Sequence, residues 1–181
     1  RGKHDACVFP LTGYAPMDVE SWRRIFRIAK YYGINYYRCH SYTPPKAAFE
    51  AADIEGIYFQ AELPLWGTIS ARNPRLNNFL LNEANMTLDY LGNHPSFMMF
   101  GLGNELNGDV GIMRSWLEGF RKHDNRHLYS FGSNNFLGWQ GPQEGEDYFT
   151  TCRVGWGEGY TSHVRSTFAF VDAEKGGILN N

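Results

Sequence analysis

The sequence sets an amide and a carboxylate, Asn104 and Glu105, directly after an apolar run that starts at Phe97 and breaks at Gly103. A short apolar run bounded by a turn residue reads as a buried strand. A strand ending in Asn-Glu presents both side chains from a rigid support. A glutamic acid that keeps its proton near neutral pH serves as a general acid. A neighbouring amide donates hydrogen bonds to a hydroxyl. Glu105 would equally well cap the following helix or pair with an arginine, and its position alone leaves both readings open.

Arg38 and His40, in "YRCHSY", fall two residues apart at the end of a second apolar run. That spacing puts both on one side of a strand. Arg38 either clamps a catalytic carboxylate or pairs with a buried acid such as Glu62, and one ion pair inside a site does both. His40 either contacts a substrate hydroxyl or is satisfied by backbone. Trp66, Trp139 and Trp156 lie in segments that follow strands. An indole there stacks on the apolar face of a ring ligand such as a sugar, or simply packs. No HExxH, no paired histidines at helical spacing and no DxDxDG loop occurs, so neither a metal nor a cofactor is expected. "GLGNEL" lacks the third glycine of a dinucleotide-binding turn, and no GxSxG is present.

These residues need elements to hold them. Trp22, Ile25, Phe26 and Ala29 recur at three- and four-residue spacing, which predicts a helix over Val19 to Tyr32, with Asp18 as N-cap and Gly33 just past its end. "TPPKAAFEAADIEG", Asn77 to Leu91 and Asp109 to Lys122 read as three further helices. Strand candidates lie near Ala6 to Phe9 and in "INYYRC", "IYFQAEL", "FMMFGLG", "HLYSFGS" and "YFTTCR". The order alternates strand and helix, which calls for a parallel sheet covered by helices. Polar residues cluster at the strand ends: His4 and Asp5, Arg38 and His40, Glu62 and Trp66, Asn104 and Glu105, Asn134 and Asn135. In a parallel barrel these ends share one face, where active sites are built.

Composition sets limits. The chain has 181 residues, 43% hydrophobic and 16% aromatic, enough for one domain with a sizeable core. Its formal charge of -2 gives no electrostatic reason for nucleic acid or an anionic membrane as partner. No apolar run nears the roughly 20 residues of a membrane span. Three cysteines without a CxxC pair exclude a dense disulfide framework and leave the compartment open.

Several motifs then line up in order. "INYYRCHSYTPPKAAFEAADIEGIYFQAELPLWG" followed by "LGNHPSFMMFGLGNEL" resembles the catalytic barrel of glycoside hydrolase family 2. There a strand ending in Arg-x-x-His or similar is followed by Tyr-Pro, a short helix, D-x-x-G and a strand ending in Glu. "HPS", an apolar strand and Asn-Glu come next. The opening "RGKH" looks like that family's first barrel strand. The resemblance implies a (β/α)8 TIM barrel of the α/β class and retaining, exo-acting hydrolysis of β-glycosides. It implies Glu105 as acid/base, Asn104 as partner of the sugar 2-hydroxyl and Arg38 as support for the nucleophile. His40, Glu62, Trp66, His4, Asp5 and Asn134 would line the substrate site.

The chain departs from the pattern in places. His4 and Asp5 stand where the family usually has Asn and Arg, which bears on the identity of the sugar. "ELPLW" stands where some β-galactosidases have a His after Glu that helps to hold magnesium, so no metal is expected. The expectation is a β-galactosidase-like enzyme, with β-glucuronidase and β-mannosidase as rivals. A non-catalytic carbohydrate-binding or scaffold barrel is the alternative from another class. Residues 1–181 are expected to be part of the catalytic barrel domain, about six of its eight βα units. The family's nucleophile would then lie past Asn181, since neither Glu158 nor Glu174 follows an apolar strand. A fragment of this kind would be inactive alone and prone to self-association.

Overall fold

Polar caps and glycines fix the helix ends. Asp18 accepts from the Ser21 N–H at 2.8 Å, and Asp109 accepts from the Ile112 N–H at 3.0 Å. Gly56 ends a helix in the left-handed conformation, φ +71°, and Gly33 follows another at φ +76°. The computed structural model describes residues 1–132, 144–150, 171–172 and 177–180. In chain order the elements are β1 (Gly2–Asp5), α1 (Val19–Tyr31), β2 (Tyr36–Cys39), α2 (Lys46–Glu55), β3 (Tyr58–Glu62), β4 (Trp66–Ile69) and α3 (Pro74–Leu91). There follow β5 (Phe97–Gly101), β6 (Asn104–Gly108), α4 (Val110–His123), β7 (Leu128–Ser130), β8 (Phe149–Thr150), β9 (Val171–Asp172) and β10 (Gly177–Asn180).

Five strands form one parallel sheet in the order β1-β2-β3-β5-β7. Each step to the neighbouring strand passes through a helix, the pattern of stacked βα units. This is the fold of a βα barrel, present here as part of the full cylinder. The sheet is largely buried over β3 and β5, which suits the apolar run of β5 and leaves Gln60 and Glu62 as buried polar residues of β3. Phe49 of α2 packs on Phe59 and Phe97 with ring centroids 4.9 and 5.4 Å away, and Phe26 of α1 meets Phe59 at 5.8 Å. Such aromatic contacts add about 0.5–1.5 kcal/mol per pair beyond the area they bury.

Asp53 of α2 joins that helix to the turn before β5. Its carboxylate accepts from the Ser96 N–H at 2.9 Å and lies 2.6 Å from His94 Nδ1. The D-x-x-G and "HPS" segments, about 40 residues apart, thus meet in one hydrogen-bonded clasp.

Four local expectations need correction. The first strand is Gly2–Asp5, not Ala6 to Phe9, because β2 pairs with it in register from Gly2↔Tyr36 to Asp5↔Cys39. The third helix begins a turn earlier than Asn77, with Asn73 accepting from the Leu76 N–H at 3.2 Å and Pro74 in its first turn. Asn104 and Glu105 do not merely trail β5. They open β6, which pairs with β4 in a separate two-stranded parallel ribbon. The "YFTTCR" strand, as β8, pairs with β10 and not with the five-stranded sheet. The segment just before it does run beside β7, where the Asp147 N–H donates to the Tyr129 carbonyl at 2.9 Å.

Candidate active site

Arg38 comes off β2 and is 6% exposed. A guanidinium so buried needs a full set of acceptors. Glu62, at the end of β3 and fully buried, supplies most of them: Nε donates to Oε1 at 2.8 Å and Nη2 to Oε2 at 3.3 Å. Nη2 also donates to the Asn104 side-chain carbonyl at 2.6 Å. Glu62 takes two more donors, Gln60 Nε2 at 2.9 Å and the Ser41 N–H at 2.8 Å. One buried network thereby ties β2 and β3 of the sheet to β6 of the ribbon. Removing either charge would leave the other unpaired, which costs about 3–5 kcal/mol.

Gly103 makes the turn that brings Asn104 onto this network. Its φ is +145°, and a Cβ there would sit 2.2 Å from the Leu65 carbonyl oxygen. The Asn104 N–H donates to that same carbonyl at 2.9 Å. Glu105, next in line, is half-buried and adopts φ +46°, a left-handed conformation that non-glycine residues rarely take. Trp66, paired in register with Asn104, donates its indole N–H to Glu105 Oε2 at 2.9 Å.

A histidine pair lies beside Trp66. The His40 ring centroid is 5.2 Å from Trp66 and 4.9 Å from His4, and His40 Nδ1 lies 3.1 Å from Ser41 Oγ. His4 Nδ1 stands 3.5 Å from Arg38 Nη1. Partial burial lowers the His4 pKa below 6.5, and the positive charge of Arg38 pushes the same way.

The structure therefore brings His4, Arg38, His40, Glu62, Trp66, Asn104 and Glu105 together at one end of the sheet. Asp5 is apart from them. Its carboxylate is bonded by the Tyr42 hydroxyl and by Lys3, two residues back and so on the same face of β1. Asn134, with Asn135, Trp139, Trp156, Glu158 and Glu174, lies outside the described residues. Sequence reasoning passed over Gln60 and Ser41. Gln60 is a polar residue inside the apolar "IYFQAEL", two before Glu62, a spacing that puts both on one face. No signal marked Ser41, which contributes its backbone N–H from φ +56°. Among the described residues no group of three or more His, Cys, Asp or Glu could hold a metal ion.

Parallel strands alternating with helices define a βα-barrel domain, and its candidate site residues gather beyond the strands' carboxyl ends, the face on which such barrels build active sites. A family model described as glycosyl hydrolases family 2, TIM barrel domain, matches residues 2–151, and the chain belongs to that family. Among solved structures it is similar to a β-glucuronidase from Parabacteroides merdae, with a TM-score of 0.65 at 20% identity over 83% of this chain and 20% of that one. It is also similar to a β-glucuronidase from Bacteroides uniformis, at 0.67 and 18% over 83% and 20%. A family 2 β-galacturonidase from Eisenbergiella tayi, bound to galacturonate, matches at 0.63 and 18% over 83% and 28%. At these identities the likeness speaks for the fold. The chain spans about a fifth of the length of the two glucuronidases. No curated protein matches the sequence.

Proposed function

We propose that this chain forms part of the catalytic barrel of a retaining, exo-acting β-glycosidase, with Glu105 as its acid/base. The observation that carries the reading is the Arg38–Glu62–Asn104 network set directly under Glu105. Arg38 occupies the Asn104 carbonyl, which turns the amide NH2 into the group that donates to a sugar hydroxyl. Asn104 would grip the 2-hydroxyl while Glu105, the next residue, protonates the glycosidic oxygen. Retaining chemistry needs a second carboxylate about 5–5.5 Å from the first, as nucleophile. Glu62 does not suit that role, because Arg38, Gln60 and Ser41 all bond to it. The nucleophile would come from a later barrel strand than those described here.

His4 and His40 would border the sugar, with Asn134 as a further contact. Our first reading of the sugar is galactose. A uronic acid is the second, supported by the glucuronidase and galacturonidase names among the similar folds. A galactosidase would hydrolyse nitrophenyl β-galactoside in preference to the glucuronide and galacturonide. The test is a panel of nitrophenyl β-glycosides assayed with the full-length protein, with the configuration of the first-formed sugar read by NMR. Retained β-configuration supports the reading. Inversion, or no turnover on any member of the panel, would refute it and leave the non-catalytic carbohydrate-binding alternative.

A further inference from the structure

Trp66 is 64% exposed, yet its place is fixed three ways. It pairs in register with Asn104, meets the His40 ring edge-on at 5.2 Å, and donates its N–H to Glu105 Oε2 at 2.9 Å. The left-handed backbone at Glu105, φ +46°, takes its side chain out of the ordinary strand alternation. The direction of the carboxyl then depends on what bonds to it. An indole donates and never accepts. It therefore engages lone pairs on Oε2, and the transferable proton is favoured on Oε1.

We infer that Trp66 is a positioning residue for Glu105, orienting its carboxyl group so that Oε1 faces the leaving-group oxygen, and is not a platform for the sugar ring. The inference rests on the acid/base reading of Glu105 given above. In the first step the second carboxylate donates an electron pair to the anomeric carbon. The bond from that carbon to the glycosidic oxygen breaks, and the oxygen takes the Oε1 proton, so the alcohol leaves neutral. In the second step a water oxygen attacks the anomeric carbon, the bond from that carbon to the second carboxylate breaks and frees the carboxylate, and Oε1 takes the water's proton. Both transfers use Oε1, the oxygen to which the indole does not donate.

The test exploits leaving groups. A dinitrophenyl group departs without a proton, whereas a phenyl group needs one. Trp66→Phe keeps the ring and removes the N–H. In the full-length protein it should leave kcat/KM on the dinitrophenyl β-glycoside within about twofold and lower it on the phenyl β-glycoside about tenfold, part of the 10²–10⁴ that a positioned acid supplies. Thermal unfolding of the variant is measured alongside. Equal losses on both substrates would mean that Trp66 binds the sugar or merely holds the fold, and would overturn the inference. So would unchanged kinetics on both. Glu105→Gln is run in parallel: if it shows no dependence on the leaving group, the acid/base reading itself fails. If Glu105→Gln shows that dependence and Trp66→Phe does not, only the role of Trp66 fails.

Discussion

The acid/base role proposed for Glu105 has consequences at the scale of a single residue. Replacing it by Gln keeps the shape and removes the proton. Hydrolysis of substrates with poor leaving groups should fall by about 10²–10⁴. With a dinitrophenyl leaving group the loss should fall on the second step, and added azide should restore turnover by attacking the glycosyl-enzyme without a base. Kinetics with and without azide check this, and azide-insensitive activity equal to wild type would remove Glu105 from the chemistry. His4 makes a pH prediction. Its folded pKa is lowered, first by partial burial and then by Arg38, so the folded state favours neutral imidazole. Its contribution is complete above the ordinary value of 6.5 and is lost as pH falls through the lower folded value. Because the ring faces solvent in part, the effect is small. Urea unfolding at several pH values should show wild type losing stability below 6.5 slightly faster than His4→Gln. At this scale the sequence was legible where type and spacing speak together. An arginine ending one strand and a glutamate ending the next could pair across the sheet, and Arg38 and Glu62 do. The indole bond to Glu105 was not legible, because it depends on a left-handed backbone that no residue type announces.

Elements explain why these side chains converge. Helix periodicity and caps were readable, since Trp22, Phe26 and Ala29 form the buried face of α1. The first strand was not. "ACVF" looks more strand-like than "GKHD", but the ladder to β2 decides, and it runs over Gly2–Asp5. The β4–β6 ribbon was also hidden, because "WGTI" and "NELNG" are too short and mixed for periodicity to register. The ribbon matters most for the site, as it carries Trp66, Asn104 and Glu105 together. The clasp of Asp53 with His94 and Ser96 serves the opposite end of β5. Asp53→Ala should strand the Ser96 N–H and loosen α2 from the sheet, for a loss of about 1–3 kcal/mol. Denaturant midpoints compared with wild type measure this. Activity per folded molecule should stay close to wild type, since the clasp lies at the other end of the strand from Glu105.

Taken whole, the sheet is open. Among the described residues β1 pairs with β2 alone, so one edge of β1 has no strand partner. Beside it lies a groove of about 280 Å³ lined by Ile25, Ile28, Ala29, Tyr32, Ile34 and Tyr37. Ile28 is 53% exposed and Tyr32 66%. Open edges and apolar patches associate. The 181-residue chain should therefore show a molar mass that rises with concentration in light scattering, and Ile28→Lys should reduce the rise. A constant monomer mass would contradict this.

That edge also sets an order of events in synthesis. A ribosome releases β1 before the other strands of this sheet, whereas a barrel closes by joining its first strand to its last. This is the contact of greatest sequence separation in the cylinder, and such contacts form late. Lys3, whose ammonium lies 4.8 Å over the Tyr37 ring, places a charge on this waiting edge. A lysine there discourages pairing with a passing strand.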